Sequence, residues 1–391
     1  MKAYRRKKKE GSLKPAKSKV WIKPFRLIFN SVMGISGLVA ALLLAASAYS
    51  DIFSPEKSVL FAYLGLCFPL FIIAGLFFLF FWLFTKRWLF VFVLALDFIL
   101  CWKPLTRYCP FHPLTEVTRS DDVIKLLTYN VMDFGYFDNT KDSKNKMVEY
   151  IAKSGADIVC LQEYMVGTRP NMMSSADIAA ALPMYPYISE VFVKRQGNGD
   201  GYGLAVLSKF PITKSSRIRF ASAYNGSALF NINVHGKKLV LINNHLESFK
   251  LTAEDRTKYS NVLTKGNLEA FEELRATIPK KLSVAFRTRA RQVAIIADAI
   301  RKENGYYTVV CGDFNDTPIS FAHRTMRNIP LIDSFAESGL GLGTSYNRNL
   351  FLFRIDHILH SPAMQSYNCR VDRSIKVSDH YPVSCLLRFK K

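Results

Sequence analysis

Twenty-four consecutive uncharged residues, Leu27 to Ser50, set the first constraint on this 391-residue chain. At 1.5 Å per residue they make a helix of about 36 Å, enough to cross a hydrocarbon core of roughly 30 Å. A cleaved signal peptide has a shorter apolar region, and here a second apolar stretch follows at once. Asp51 to Lys57 reads as a short polar turn, and Leu60 to Thr85 is again uncharged and rich in Phe and Leu. Trp88 to Trp102 is apolar except for Asp97, and reaches only about 22 Å. Carrying it on to Leu105 takes in Lys103 and Pro104. Asp97 near a bilayer centre costs roughly 2.5–3.5 kcal/mol, less toward an end, so it is expected to snorkel or to pair with a neighbouring helix. Trp82, Trp88 and Trp102 suit the interface. The expected spans are about 27–50, 58–85 and 88–105, with two crossings as the alternative to three.

Charge gives these segments a direction. The net charge is +22, and half of it lies before residue 105, where fifteen Lys and Arg face four acids. Residues 1–26 alone carry eleven basic residues and only Glu10, a solvated or headgroup-facing tail that stays cytoplasmic. The 51–57 turn, with one Lys and two acids, suits the outside; Lys86 and Arg87 suit the inside. Three crossings then deliver the rest of the chain outside the cytoplasm, which in a bacterial inner membrane is the periplasmic side. Two crossings leave it in the cytoplasm. Because half the charge excess belongs to the membrane region, a pI of 9.7 is weak support for nucleic-acid binding.

From about Asp122 to the C-terminus the pattern changes to short β-branched runs: Val123–Tyr129, Ile158–Gln162, Leu204–Ser208, Leu229–Val234, Lys238–Asn243, Thr308–Cys311, Ile355–His360 and Val383–Phe389. Their length and flanking turn residues predict buried strands. Helical stretches lie between them, Lys144–Ser154 and Arg289–Glu303, the latter with Val293, Ile296, Ala297 and Ile300 on one face. Such alternation predicts one large α/β domain over 122–391, with a charged, partly helical insertion at about 248–286. Seven cysteines exclude a small disulfide scaffold and leave a Cys369–Cys385 pairing open. Cys160 and Cys311 fall inside buried strands and read as core thiols.

Polar groups recur at the ends of these runs. Asn130 ends the first, Glu163 follows the second, and Asn244 with His245 follows Lys238–Asn243. Asp313, Asn315 and Asp316 follow Val309–Gly312; Asp356 opens the Ile355–His360 run; Asp379 and His380 precede the last. Each alone is weak: an Asn after a strand is usually a turn residue, and Gly312-Asp-Phe-Asn-Asp lacks the spacing of an EF-hand calcium loop. Strand ends of α/β sheets open onto ligand crevices. Carboxylates and imidazoles converging there hold a hard divalent cation and move protons.

In order and spacing, Thr128-Tyr-Asn-Val, Leu161-Gln-Glu, Asn244-His-Leu, Gly312-Asp-Phe-Asn, Arg354-Ile-Asp-His and Ser378-Asp-His resemble the motifs of the endonuclease/exonuclease/phosphatase superfamily. Its members include DNase I-like nucleases, neutral sphingomyelinases and inositol-polyphosphate phosphatases. The resemblance implies a four-layer α/β sandwich, in a membrane-anchored bacterial-type member, and hydrolysis of a phosphate mono- or diester by in-line attack of water. It implies Mg²⁺ or Mn²⁺ on Asn130, Glu163 and Asp379. Asp313 activates the water and Asn315 donates to a phosphoryl oxygen. Asp356 orients His380, which contacts the phosphate or shares base duty, and His245 protonates the leaving oxygen. Asn244 and Tyr202, in Gly201-Tyr-Gly, are candidate substrate contacts. His357 and His360 read as structural, while His112, His235 and His323 have no partner motif. Arg287, Arg289 and Arg291 either steer an anionic substrate or solvate a helix.

The expected partners are a phosphoester substrate (lipid headgroup, nucleotide or nucleic acid) and membrane lipids; no protein partner is implied. A nuclease is the first alternative, although no Lys/Arg stripe interleaved with aromatics marks a nucleic-acid face. A catalytically silent binding module is the second, against which all six motifs are intact. A transporter is disfavoured for want of a repeated helical bundle.

Overall fold

The computed structural model describes residues 22–135, 145–195, 197, 199–348 and 353–390. The first apolar stretch is helix α1, Ile22–Ala48. The 27 residues Arg26–Ile52 are the one straight helical stretch long and apolar enough to cross a membrane among the described residues. The second stretch breaks at Cys67 into α2 (Leu60–Leu66) and α3 (Phe68–Phe84), bent by 64°. Pro69 lies in the first turn of α3, where its missing N–H costs least and its ring stops the preceding helix from running on. The third breaks at Cys101 into α4 (Trp88–Leu100) and α5 (Trp102–Tyr108), bent by 62°. The expected 58–85 and 88–105 segments are thus each a bent pair, and the spans number up to three only if each pair counts as one.

α1, α3 and α4 pack closely because glycine removes side-chain bulk where they meet. A Cβ at Gly34 would sit 3.1 Å from Phe90, and one at Gly75 would sit 3.1 Å from Phe98 and 3.2 Å from Leu44. Trp82 stacks on Phe90 at 4.5 Å. Asp97 is buried, with Cys101 Sγ 3.8 Å from Oδ1, four residues along the chain, and it has no hydrogen-bond partner on another helix among the described residues.

The turn after α1 does not project freely. Asp51 is 2% exposed, and its carboxylate lies 2.8 Å from Arg327 Nη2, 3.3 Å from Arg324 Nη1 and 3.4 Å from Arg107 Nη1. Ile319 joins a cluster with Leu44, Ala48, Phe68, Cys101 and Tyr108. Tyr63 of α2 sits edge-on to Phe286 at 5.5 Å and donates its hydroxyl to the Pro279 carbonyl. The helical region and the region beyond residue 122 therefore share buried contacts.

Beyond it lie two six-stranded sheets. The strands are β1 (Val123–Asn130), β2 (Ile158–Val166), β3 (Tyr187–Arg195), β4 (Gly201–Ser208), β5 (Ile212–Ile218) and β6 (Gly226–Val234). They continue as β7 (Lys237–His245), β8 (Tyr307–Asp313), β9 (Ile332–Asp333), β10 (Asp356–His360), β11 (Met364–Val371) and β12 (Val383–Phe389). The sheet orders are β11-β12-β1-β2-β4-β3 and β5-β6-β7-β8-β10-β9. Only β1 with β2 and β7 with β8 run parallel; the other neighbours are antiparallel.

Alternation builds the layers. Ile124, Leu126, Ile158, Cys160, Leu239, Leu241, Val309 and Cys311 point between the sheets and form one core. The opposite residues face outward. Leu127, Tyr129, Val159 and Leu161 meet α6 (Lys146–Lys153) and α7 (Ser175–Ala181) through Met147, Val148, Ile151 and Ile178. α8 (Ala253–Lys265) and α9 (Leu268–Glu303) follow β7, so the expected insertion at 248–286 is mainly a helical pair. The C-terminal part of α9 lays Val293, Ile296, Ala297 and Ile300 on Val240, Ile242 and Val310. α10 (Phe321–Asn328) covers the same face, and the short α11 (Ser334–Ser338) follows β9. The result is helix, sheet, sheet, helix. Helix α6 starts at Lys146; Lys144, where its sequence pattern begins, lies outside the described residues. All seven cysteines are free thiols.

Candidate active site

The same alternation that fills the core selects the site. Continuing each inward-facing row to its strand end reaches Asn130 on β1, Gln162 on β2, Asn243 and His245 on β7, Asp313 on β8 and Asp356 on β10. β1, β2, β7 and β8 present their carboxyl ends there, and β10 brings Asp356 opposite Asp313 in antiparallel register. The floor is polar and joins the two sheets: Gln162 Nε2 donates to Thr128 Oγ1 at 3.0 Å and to Asn243 Oδ1 at 2.6 Å, and Asn243 donates to the Leu161 carbonyl at 2.9 Å.

Glu163 has the wrong parity for this row. A bulge corrects it: the β2–β4 register shifts between Leu161 and Tyr164, and Glu163 takes φ +48°, the left-handed region. Its carboxylate accepts from Asn130 Nδ2 at 3.0 Å, and the same amide donates to Asp313 Oδ2 at 3.1 Å. Asn315 Nδ2 reaches that oxygen at 3.2 Å, while its backbone N–H donates to Asp313 Oδ1 at 2.8 Å. The imidazoles converge there too, with Nε2 of His380 and of His245 at 3.6 and 3.8 Å from Asp313 Oδ2. His380 Nδ1 lies 2.8 Å from Asp356 Oδ2. Ser378 Oγ donates to the Asn130 carbonyl at 2.8 Å and accepts from His380 N–H, tying the Asp379 loop to β1.

The charges fall into two halves. Burial pushes the Glu163 carboxyl up to about 7, with Asp379 and Asp313 adding repulsion. Burial, then Glu163 and Asp379, push Asp133 to about 7 as well. Three mutually repelling carboxyls, one of them with a buried oxygen (Asp133 Oδ1) that has no hydrogen-bond partner among the described residues, are a donor set that a hard divalent cation suits. On the other side Asp313, Asp356 and His380 offer ligand atoms within 4.8 Å of one another, but Asp356 is already committed to the imidazole. His380 is driven well above its ordinary pKa: burial opposes this, and the Asp356 and Asp313 carboxylates outweigh it. Burial lowers that of His245. The two rings are thus separated into a protonated and a neutral one.

Of the residues expected from sequence, Asn130, Glu163, His245, Asp313, Asn315, Asp356 and His380 meet at this crevice, and Asp379 faces it through its repulsion of Glu163. The Tyr202 hydroxyl is also close: burial and the carboxylates of Glu163, Asp133 and Asp313 raise its pKa. Asn244 falls elsewhere. It shares the outward face of β7 with Val240 and Ile242, while its neighbour Asn243 points inward. Arg289 neither steers substrate nor solvates a helix: it is fully buried, 3.0 Å from Asp316 Oδ2, and donates to the Glu247 carbonyl at 2.7 Å. His357 and His360 hold structural bonds, to the Asp316 carbonyl and to Glu337, each at 2.9 Å. Sequence reasoning missed Asn243, Asp133 and Tyr346. Strand parity would have exposed Asn243. Asp133 sits in a left-handed turn, Met132–Gly135, that no periodicity marks, and Tyr346 packs edge-on to His380 at 5.2 Å from a loop.

The Asp356–His380 contact makes a first prediction. Asp356→Asn is expected to slow turnover about 10–100-fold, since an outer partner orients the ring. Combined with His380→Ala it should add little further; full additivity in a double-mutant cycle would show that the two do not act as a unit. A second concerns pH. Without a cation Glu163 and Asp133 titrate near pH 7, far above the usual carboxyl range. Mg²⁺ affinity should therefore climb between about pH 6 and 8 in titration calorimetry as the protons leave. Because the folded carboxyls bind protons more tightly than unfolded ones, metal-free stability should fall as pH rises from about 4.5 through about 7. A flat affinity profile over that range would contradict both shifts.

The sequence model of the endonuclease/exonuclease/phosphatase family matches residues 127–380, and the chain belongs to that family. It is accordingly a phosphoester-hydrolysing enzyme, of a family that generally uses divalent metal ions. Residues 29–108 match a second family, described as a domain of unknown function. Among solved structures, an endonuclease/exonuclease/phosphatase from Beutenbergia cavernae is 16% identical, with TM-score 0.49, covering 69% of this chain and 72% of that one. A family protein from Bacteroides thetaiotaomicron is 14% identical, with TM-score 0.46, covering 69% and 98%. Truncated Caenorhabditis elegans TDP2 is 17% identical, with TM-score 0.42, covering 68% and 98%. No curated protein matches the chain.

Proposed function

We propose that the chain is a membrane-anchored, divalent-metal-dependent phosphoesterase that hydrolyses a phosphate ester presented at the membrane surface. The observation that carries this reading is the position of Ile319. It is six residues after Asp313, so its Cα lies within about 21 Å of that residue even on a fully extended chain. Yet its side chain packs among Leu44, Ala48 and Phe68 at the end of the apolar helices. This contact supports a crevice held near headgroup height in the proposed membrane reading.

Asn130, Glu163, Asp133 and Asp379 would hold the cation, which when bound neutralises phosphate charge. Asp313, whose pKa burial raises, is the base that takes a proton from the attacking water. Asn130 and Asn315 hold its carboxylate in place. His380, kept protonated by Asp356, donates to a phosphoryl oxygen or to the leaving group; its charge makes it the better acid. His245, neutral, is left as a proton acceptor, so the acid role expected for it from sequence passes to His380 in this proposal.

The Asp51 clamp also supports a sidedness. In this reading the turn after α1 shares a membrane face with Arg324 and Arg327, whose guanidinium groups contact Asp51. The number of crossings between them is then even, zero or two, and the total is one or three. In either case the catalytic region lies opposite the basic tail, outside the cytoplasm.

The test uses the full chain in detergent and in vesicles. Substrates are bis-p-nitrophenyl phosphate, DNA, sphingomyelin and phosphoinositides, each with and without Mg²⁺. Mg²⁺-dependent hydrolysis of a vesicle lipid is expected, together with an active alkaline phosphatase fusion after Lys391. Cleavage of DNA alone, with a fluorescent cytoplasmic fusion, would replace this reading with a nuclease facing the cytoplasm.

A further inference from the structure

A second group of imidazoles and carboxylate lies behind the Asp356 strand, outside the crevice. His323 is in the first turn of α10, Asp333 ends β9, and His357 follows Asp356 on β10. All three are buried, at 0, 3 and 2% exposure. Each is left with a ligand atom to spare. Asp333 Oδ1 caps α11 by accepting from the Phe335 and Ala336 N–H groups at 2.9 and 3.3 Å, and among the described residues Oδ2 faces only His323 and Arg354. His357 Nε2 lies 2.9 Å from the Asp316 carbonyl. A carbonyl only accepts, so the ring proton is on Nε2, and Nδ1 carries a bare buried lone pair without a partner among the described residues. Among the described residues His323 Nδ1 has no hydrogen-bond partner, while Nε2 lies 3.2 Å from Asp333 Oδ2 and pairs with it when that nitrogen carries a proton. One atom from each residue falls within 4.8 Å of the other two.

Buried polar atoms are ordinarily paired, and two imidazoles and a carboxylate with ligand atoms within 4.8 Å of one another and few other partners ask for a common one. We propose that His323, Asp333 and His357 hold a structural transition-metal ion, with Zn²⁺ the best match to two imidazoles and a carboxylate. The His357 N–H donated to a carbonyl is the outer bond that fixes a metal-binding tautomer. Mg²⁺, which prefers an all-oxygen shell, is the wrong ion here and the right one for the crevice. The competitor for Asp333 is the buried Arg354 guanidinium, 4.0 Å from Oδ2, whose Nη2 is committed to the Arg107 carbonyl. An ion at this point joins α10, which grips Asp51 through Arg324 and Arg327, to β10, which carries Asp356.

The test is metal binding by the full chain in detergent, using Zn²⁺ and Co²⁺ alone as probes. Expected are about one Zn²⁺ retained through a wash in excess Mg²⁺, and a Co²⁺ form with the intense visible bands of a low-coordinate nitrogen–oxygen site. Zn²⁺ at a hundredfold excess over its Kd should raise Tm by about 3–5 °C. His323→Gln and His357→Gln should each weaken Zn²⁺ binding at least about 100-fold by losing one of three ligands. Glu163→Gln, altered only in the crevice, should keep the ion. A folded wild-type chain with no such Co²⁺ bands overturns the proposal whatever the variants do. So does Zn²⁺ that survives both histidine substitutions, and Asp333 then belongs to Arg354.

Discussion

Glu163→Gln is expected to cut turnover by about 10³-fold, roughly 4 kcal/mol of transition-state stabilisation, and to raise the Mg²⁺ concentration needed for half-maximal activity. The substitution keeps the shape and the bond from Asn130, and removes the anion nearest both imidazole and amide. It also lifts one of the three repelling carboxylates, so the metal-free variant should be no less stable than the parent at pH 8. Steady-state rates across a Mg²⁺ titration, with thermal melts in a chelator, separate these effects. Unchanged turnover at low Mg²⁺ would remove Glu163 from the site.

Asp51→Ala should have the largest effect on stability. It strips the only carboxylate among the described residues within salt-bridge distance of three guanidinium groups. Taking one partner from a buried pair costs about 3–5 kcal/mol, because the remaining charge stays desolvated. Arg324, the most exposed of the three, can turn to solvent; Arg107 and Arg327 are held more deeply. A drop of several degrees in the melting of the solubilised chain, with new protease cleavage between Tyr108 and Val123, is the expected readout. Asp51→Asn, which keeps hydrogen-bond acceptance, should fall between the parent and Asp51→Ala. Melting unaffected by both changes would mean that the clamp holds nothing together.

The eight strands legible in the sequence are the eight interior ones. The four it hid are the four sheet edges: β3, β5, β9 and β11. The physical reason is visible in β5, Ile212-Thr-Lys-Ser-Ser-Arg-Ile, whose middle residues are exposed. An edge strand buries less and is kept polar to discourage pairing with other chains, so it lacks the apolar run that marks its neighbours. The site was legible for a related reason, since its residues end the buried runs. What failed was parity. Asn243 and Asn244 are adjacent and chemically identical, and only the inward row through Leu239 and Leu241 tells them apart. Glu163 breaks that same rule and still reaches the site, because the bulge is set by backbone geometry that composition does not encode. Asp51 read as an ordinary turn residue; its three partners lie 56 to 276 residues away.

Beyond the covalent path through α5, the catalytic region is attached to the apolar helices by the Asp51 clamp with Ile319 beside it and by Tyr63 against Phe286. A single flexible tether would let the crevice sample a hemisphere of orientations and heights. Several anchors remove both freedoms. Under the proposed membrane-anchored function, the remaining search is lateral diffusion in a plane, where an ester at the matching depth is met at high effective concentration and one in bulk solvent gains nothing from the anchoring.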